Sequence, residues 1–108
     1  MKVGIIRCQQ TEDLCPGTGD FAAVEKKSGA FETLGDCTIV GFVSCGGCPG
    51  SKAIARAQAL MDRGAQAIAL ATCITKGNPN GFPCPNRDSI LQALRKKCKE
   101  VPVLEYTH

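Results

Sequence analysis

Three short apolar runs dictate the layout of this chain: Lys2-Val3-Gly4-Ile5-Ile6-Arg7, Thr38-Ile39-Val40-Gly41-Phe42-Val43-Ser44 and Ala67-Ile68-Ala69-Leu70-Ala71-Thr72. Each is too short for a stable helix and apolar at consecutive positions, the pattern of a strand covered on both faces. Helical spacing fills the intervals. A first helix is expected over 21–27, capped by Asp20 and stopped by Gly29. A second begins after Pro49, which suits a first helical turn because its missing N–H would be unpaired there. It runs to about Arg63, stops at Gly64, and carries Ile54, Ala57 and Met61 as its buried stripe. A proline- and glycine-rich loop over 74–85 leads to a third helix over 86–99, with Ile90, Leu91, Leu94 and Cys98 facing inward. A last strand covers 101–106; residues 30–37 have no clear pattern beyond a turn at Gly35-Asp36.

Strands alternating with helices at this spacing give an α/β chain: a doubly wound parallel sheet of about four strands, flavodoxin- or Rossmann-like. The expected strand order is 2-1-3-4. With 108 residues there is room for one domain, residues 1–108, and one modest core. In such folds the carboxyl ends of the strands share one edge with the starts of the following helices, and ligands bind there.

The cysteines fall on that edge. Each of the first three runs ends on a cysteine: Cys8, Cys45 and Cys73. Each following helix or turn is entered through a second cysteine joined to proline: Cys15-Pro16, Cys48-Pro49 and Cys84-Pro85. The last strand ends near His108, the sole histidine. Separate connections thus deliver seven soft ligands to one edge. Cys37, ahead of the second strand, and Cys98, on the inner face of the last helix, belong elsewhere and read as packing residues. The tightest junction is Cys45-Gly46-Gly47-Cys48-Pro49, where two glycines permit a sharp turn between the thiols. A thiol at a helix start faces the positive end of the helix dipole, which favours thiolate. Arg7 adds positive potential nearby, while Lys52 reads as a solvated side chain.

Composition narrows the function classes. The net charge of +3 is small, and the run Arg95-Lys96-Lys97 with Lys99 reads as a solvated helix face. With one tyrosine, four phenylalanines and no tryptophan there is little to stack on bases, which argues against nucleic acid as partner. No run approaches the roughly 18 apolar residues of a membrane span, and the few apolar residues between Lys2 and Arg7 are too few for a signal sequence. The expected location is the cytoplasm. There, eight cysteines point to metal binding or thiol redox chemistry rather than to disulfides.

Cys45-x-x-Cys48 has the spacing both of half a zinc site and of a redox pair. Zinc would take four of the set as thiolates, or three with the imidazole of His108. An iron–sulfur cluster would also take four thiolates. The competing reading is a thiol–disulfide or electron-transfer oxidoreductase using Cys45 and Cys48 with a redox partner protein, which leaves the other cysteines unexplained. Phosphate-binding and dinucleotide glycine loops are absent.

These motifs resemble those of the CGGC domain family: Arg7-Cys8-Gln9-Gln10-Thr11 with Cys15-Pro16-Gly17, Ser44-Cys45-Gly46-Gly47-Cys48-Pro49-Gly50, Cys73-Ile74-x-Lys76-Gly77, Gly81-Phe82-Pro83-Cys84-Pro85 and Thr107-His108. The resemblance spans essentially the whole chain. It implies a small stand-alone prokaryotic domain, frequent in anaerobes, with a metal-binding role ascribed to its cysteines and histidine. Zinc is the metal usually suggested, and an anaerobic setting keeps iron–sulfur open. No reaction is implied.

Overall fold

A computed structural model describes residues 1–77, 81 and 83–108. Residues 78–80 and Phe82, part of the expected 74–85 loop, lie outside the described residues. The elements run β1 (Lys2–Arg7), α1 (Thr18–Lys26), β2 (Thr38–Ser44), α2 (Lys52–Asp62), β3 (Ala67–Leu70), α3 (Thr72–Thr75), α4 (Arg87–Lys97) and β4 (Val103–Leu104), with 3-10 turns at Gln9–Thr11 and Gly29–Phe31. The sheet is wholly parallel in the order β2-β1-β3-β4, as its sequence predicts.

Burial follows position in the sheet. Ile5, Ile6, Ile68 and Leu70 on the two central strands are fully buried, each such side chain contributing roughly 1.5–3 kcal/mol of transfer free energy. β2 is an edge strand, with every residue after Thr38 only half-buried. Successive strand residues point to opposite faces. On one face Phe42 meets Phe21 of α1, ring centroids 5.2 Å apart. On the other, Gly41 lies under Leu60 of α2. α2 also packs against α4; with α1 on the Phe42 face, helices cover both sides of the sheet.

Two strand glycines explain how α2 sits so close. Gly4 and Gly41 are register partners, and Leu60 fills the notch between them. A Cβ on Gly4 would come within 2.8 Å of Leu60 Cδ1, and one on Gly41 would run into Leu60 Cδ2. A bulge creates this pairing: Val3 pairs with Ile39, but Gly4 pairs with Gly41, so Val40 is the extra residue.

Several local expectations change. The buried stripe of α2 is Ala53, Ala57 and Leu60; Ile54 and Met61 flank it, half-buried. α2 starts at Lys52 rather than at Pro49, because Gly50 takes a left-handed φ of 87° and delays the helix. Asp20 does not cap α1 but lies inside its first turn, buried. Gly17, with φ of 88°, precedes the helix instead, and α1 ends at Lys27 in the left-handed region. β3 stops at Leu70, and β4 has two residues where six were expected. Among the described residues no helix is long and apolar enough to cross a membrane.

Replacing Gly41 with alanine should cost about 1–3 kcal/mol through overpacking against Leu60. Leu60→Ala in the same chain should recover part of that loss. A double-mutant cycle by urea unfolding checks it: strictly additive effects would mean that Leu60 does not fill the notch.

Candidate metal and thiol site

Backbone register brings the thiols together. The bulge at Val40 puts Arg7 opposite Ser44, so Cys8 and Cys45 leave the sheet side by side. The N–H of Cys45 donates to the carbonyl of Arg7 at 2.7 Å. On the other flank of β1, the N–H of Ala71 donates to the carbonyl of Ile6 at 2.9 Å. Cys73 follows in the short helix α3, and its Sγ accepts the N–H of Cys8 at 3.3 Å. The N–H of Cys84 donates to the carbonyl of Ile74 at 2.8 Å, which ties that loop to α3. Four separate segments are thereby pinned at one edge.

Cys45 and Cys48 are joined by Gly46 and Gly47, with φ of 83° and 95°. The turn is anchored at Ser44, whose hydroxyl accepts the Gly46 N–H at 3.3 Å and Nη1 of Arg56 at 2.8 Å. The stem of Lys52 covers Gly46, where a Cβ would approach Lys52 Cβ to 2.6 Å. Glycine is therefore required there on both torsional and steric grounds.

Accessibility differs sharply among the thiols, all eight of which are free. Cys8, Cys45 and Cys73 are buried, Cys15 and Cys84 are half-buried, and Cys48 is exposed. Burial pushes the Cys84 thiol above its usual range. The Asn86 N–H, donated to its sulfur at 3.4 Å, opposes that shift, while charge on Cys48, Cys8 or Cys45 would add to it. Cys73 is also raised, first by burial; the Cys8 N–H and the Thr11 hydroxyl pull it down, and Asp20 and Cys8 push it up again. Cys8, Cys45 and Cys48 thus lie within electrostatic reach of Cys84, and a cation there would let several thiols ionise together.

Helix dipoles do less than the sequence predicts. Cys15, Cys48 and Cys84 stand ahead of helices that begin at Thr18, Lys52 and Arg87, and the dipole acts mainly within the first turn. Cys73, expected at the end of β3, sits inside α3 instead. Thr72 is drawn out of the sheet by Thr107, whose hydroxyl accepts the Thr72 N–H at 3.2 Å. Cys98 is buried in the core, and Cys37 packs against it from a half-buried position.

The donor chemistry suits a thiophilic ion: buried and half-buried sulfurs with backbone N–H groups supporting two of them. As they stand, no three cysteine, histidine, aspartate or glutamate side chains among the described residues surround one point.

The pattern that defines the CGGC domain matches residues 2–108. This chain belongs to the CGGC domain family. It is similar to the uncharacterized protein MJ0582 of Methanocaldococcus jannaschii, 40% identical over 116 aligned residues that cover all of this chain and 87% of the relative. No solved structure matches the chain. The family is cysteine-rich, and that composition is compatible with a metal ion as partner.

In this CGGC domain two polar devices brace the edge, and the sequence alone discloses neither. Arg7 is buried and clamps the Cys8–Cys15 connection: its guanidinium donates to the carbonyls of Cys8 and Cys15 and to the Thr11 hydroxyl. On the far side, buried Thr72, Thr107 and Asp20 form one network. The Thr107 hydroxyl donates to Asp20 Oδ1 in a short hydrogen bond. The Thr72 and Thr107 hydroxyls are 3.1 Å apart. The His108 N–H donates to Thr72 Oγ1 at 2.9 Å. His108 lies over Gly19, its Nε2 3.7 Å from Asp20 Oδ1. The structure therefore sets His108 beside a carboxylate rather than beside the sulfurs. A signal existed in the terminal Thr107-His108, but its partner Asp20 is far away in sequence and reads locally as a cap.

Thr107→Val should destabilise the fold by about 1–3 kcal/mol or more, because it strips the donor from a buried carboxylate. Chemical denaturation checks this, and a loss no greater than that of an exposed control such as Thr33→Val would show that the network is dispensable.

Proposed function

We propose that this CGGC domain is a cytoplasmic metal-binding protein whose ligands are thiolates of Cys8, Cys45, Cys48 and Cys84, with zinc the first choice of metal. The observation that supports this reading most is the β1–β2 register, which sets Cys8 level with Cys45 and next to the Cys45-Gly46-Gly47-Cys48 turn. Cys84 joins them through its bond to Ile74 and its electrostatic reach to the other three. Four thiolates satisfy a tetrahedral zinc ion, and the same set suits an iron–sulfur cluster. Bound there, zinc would supply a closed structural centre, or a Lewis acid if one ligand position stays open. Cys73 is a reserve ligand, its sulfur already engaged by the Cys8 N–H. Cys15, whose carbonyl holds Arg7, and His108, beside Asp20, stand at the margins. A reducing compartment is required, since thiolate ligands must stay reduced.

A second reading rests on the contrast between exposed Cys48 and buried Cys45. An exposed thiolate of Cys48 would attack a disulfide of a partner protein, and Cys45 would then displace it. The partner's disulfide is reduced to two thiols, while Cys45 and Cys48 are oxidised to one disulfide.

Anaerobic purification followed by metal analysis and visible absorption separates these readings. Colourless protein with stoichiometric zinc supports the first; brown protein with iron and acid-labile sulfide selects a cluster. Metal-free protein that stays folded and cycles one disulfide replaces both with the second reading. Within the metal reading, Cys48→Ser and Cys84→Ser should each sharply reduce metal retention, whereas Cys98→Ser should leave it nearly unchanged. Equal losses across the three variants would refute this choice of ligands.

A further inference from the structure

A cavity of about 290 Å³ lies between α4 and the start of α2. Pro49, on its wall, directly follows exposed Cys48, and Asn86, on the facing wall, comes two residues after Cys84. Its apolar lining is Pro49, Ile54, Ile90 and Ala93. Ser51 and Asn86 add polar groups: they stand at the cap positions of α2 and α4, yet neither side chain caps its helix or is otherwise hydrogen-bonded among the described residues. No charged residue lines this cavity, whereas others carry charge: Glu32 and Glu105 beside β4, Arg56 and Arg63 beside β2. A charged group entering here would lose hydration and find no counter-charge, so the occupant is uncharged. The volume falls just below the roughly 300–1,000 Å³ of enclosed small-molecule sites, and the cavity is open to solvent. That shape takes one apolar side chain whose backbone passes outside, where its polar groups meet Ser51 and Asn86.

We propose that this groove is the docking site of a partner polypeptide and takes an uncharged, apolar side chain adjoining the partner's disulfide. The proposal rests on the thiol–disulfide reading above and names its substrate class. With the side chain seated, the Cys48 sulfur bonds to one sulfur of the partner as the partner's own S–S bond breaks. The partner's second sulfur leaves and takes the proton that Cys48 gives up. The Cys45 sulfur then bonds to Cys48, and the first partner sulfur departs as a thiol with the proton of Cys45. Two electrons pass to the partner, and Cys45 and Cys48 end as one disulfide.

The test uses full-length protein, reduced and metal-free, and three tetrapeptides that differ only in leucine, alanine or aspartate before a cysteine activated as its 2-pyridyl disulfide. Release of pyridine-2-thione gives each rate, and peptide mapping by mass spectrometry confirms the mixed disulfide at Cys48. Each rate is divided by that of the same peptide with N-acetylcysteine; comparing peptides on one thiol cancels the reactivity of Cys48 itself. The leucine peptide should react about tenfold faster than the aspartate peptide, the scale expected for burying part of a leucine side chain. In Ala93→Glu, or in Ser89→Glu should the first fail to fold, that ratio should fall to near one. Equal rates on wild type would overturn the proposal, as would a groove variant that keeps the preference or a Cys48 that reacts with none of the peptides. Isobutyl 2-pyridyl disulfide, which has no peptide backbone, should lack the advantage; if it matches the leucine peptide, the occupant is not a polypeptide and the proposal falls. Wild type that stops at the mixed disulfide, without releasing the peptide as a thiol, defeats the thiol–disulfide reading alone, and the rate ratios still decide the docking site.

Discussion

The parallel pairing of β1 on both sides is the constraint on which everything else rests. β1 is bonded to both β2 and β3, and its register decides which residues leave the sheet together. The bulge at Val40 makes that register specific. Without the extra residue, Gly4 would face Val40, Arg7 would face Val43, and Cys45 would emerge one residue beyond Cys8. With it, two glycines meet under Leu60 and two cysteines emerge side by side. One local irregularity thus sets both the depth of α2 and the alignment of the thiols.

The edge itself is held from two directions by polar groups. Arg7 secures the side near Cys8 and Cys15, and the Thr72, Thr107 and Asp20 network secures the side near Cys73. Cys73 lies between them and feels both: the Thr11 hydroxyl, itself held by Arg7, favours its thiolate, while Asp20 opposes it. Cys84, with three other cysteines in electrostatic reach, has the opposite problem, because any charge placed on its neighbours disfavours its own. The metal centre proposed on Cys8, Cys45, Cys48 and Cys84 would relieve that repulsion. One built toward His108 would have to turn its imidazole away from Asp20, whose Oδ1 lies 3.7 Å from Nε2.

The layout of the sheet was legible because its signals are local. Apolar runs at Lys2–Arg7 and Thr38–Ser44 coincide with strands, alternation with helical spacing points to a parallel sheet, and analogy with flavodoxin-like sheets supplies the order that the sheet has. The convergence of Cys8 and Cys45 follows from that order. What escaped are features decided across long sequence separations. The bulge depends on Leu60 fitting two glycines on different strands. The burial of Asp20 depends on Thr107, and the early end of β3 on the same residue. Pro49 looked like a helix start because proline suits one, yet Gly50 in a left-handed conformation overrides it. Arg7 read only as a source of positive potential near the thiols, because no local pattern shows that its three donors find carbonyls and a hydroxyl around a tight loop.

The size of the core decides how far a metal at this edge would be needed for folding. Small zinc domains that lack a core fold only around their metal, so the site and the fold appear together. Here fully buried Val3, Ile5, Ile6, Phe31, Ile68, Leu70, Ile74 and Leu94 hold the sheet and helices without help from the thiols. The backbones of Cys8, Cys45 and Cys73 are placed by strand register and by hydrogen bonds of Arg7, Ile6 and Ala71. Metal would then add stability by mass action, as RT ln(1 + [L]/Kd), about 4 kcal/mol at a thousandfold excess over Kd. It would not create the fold.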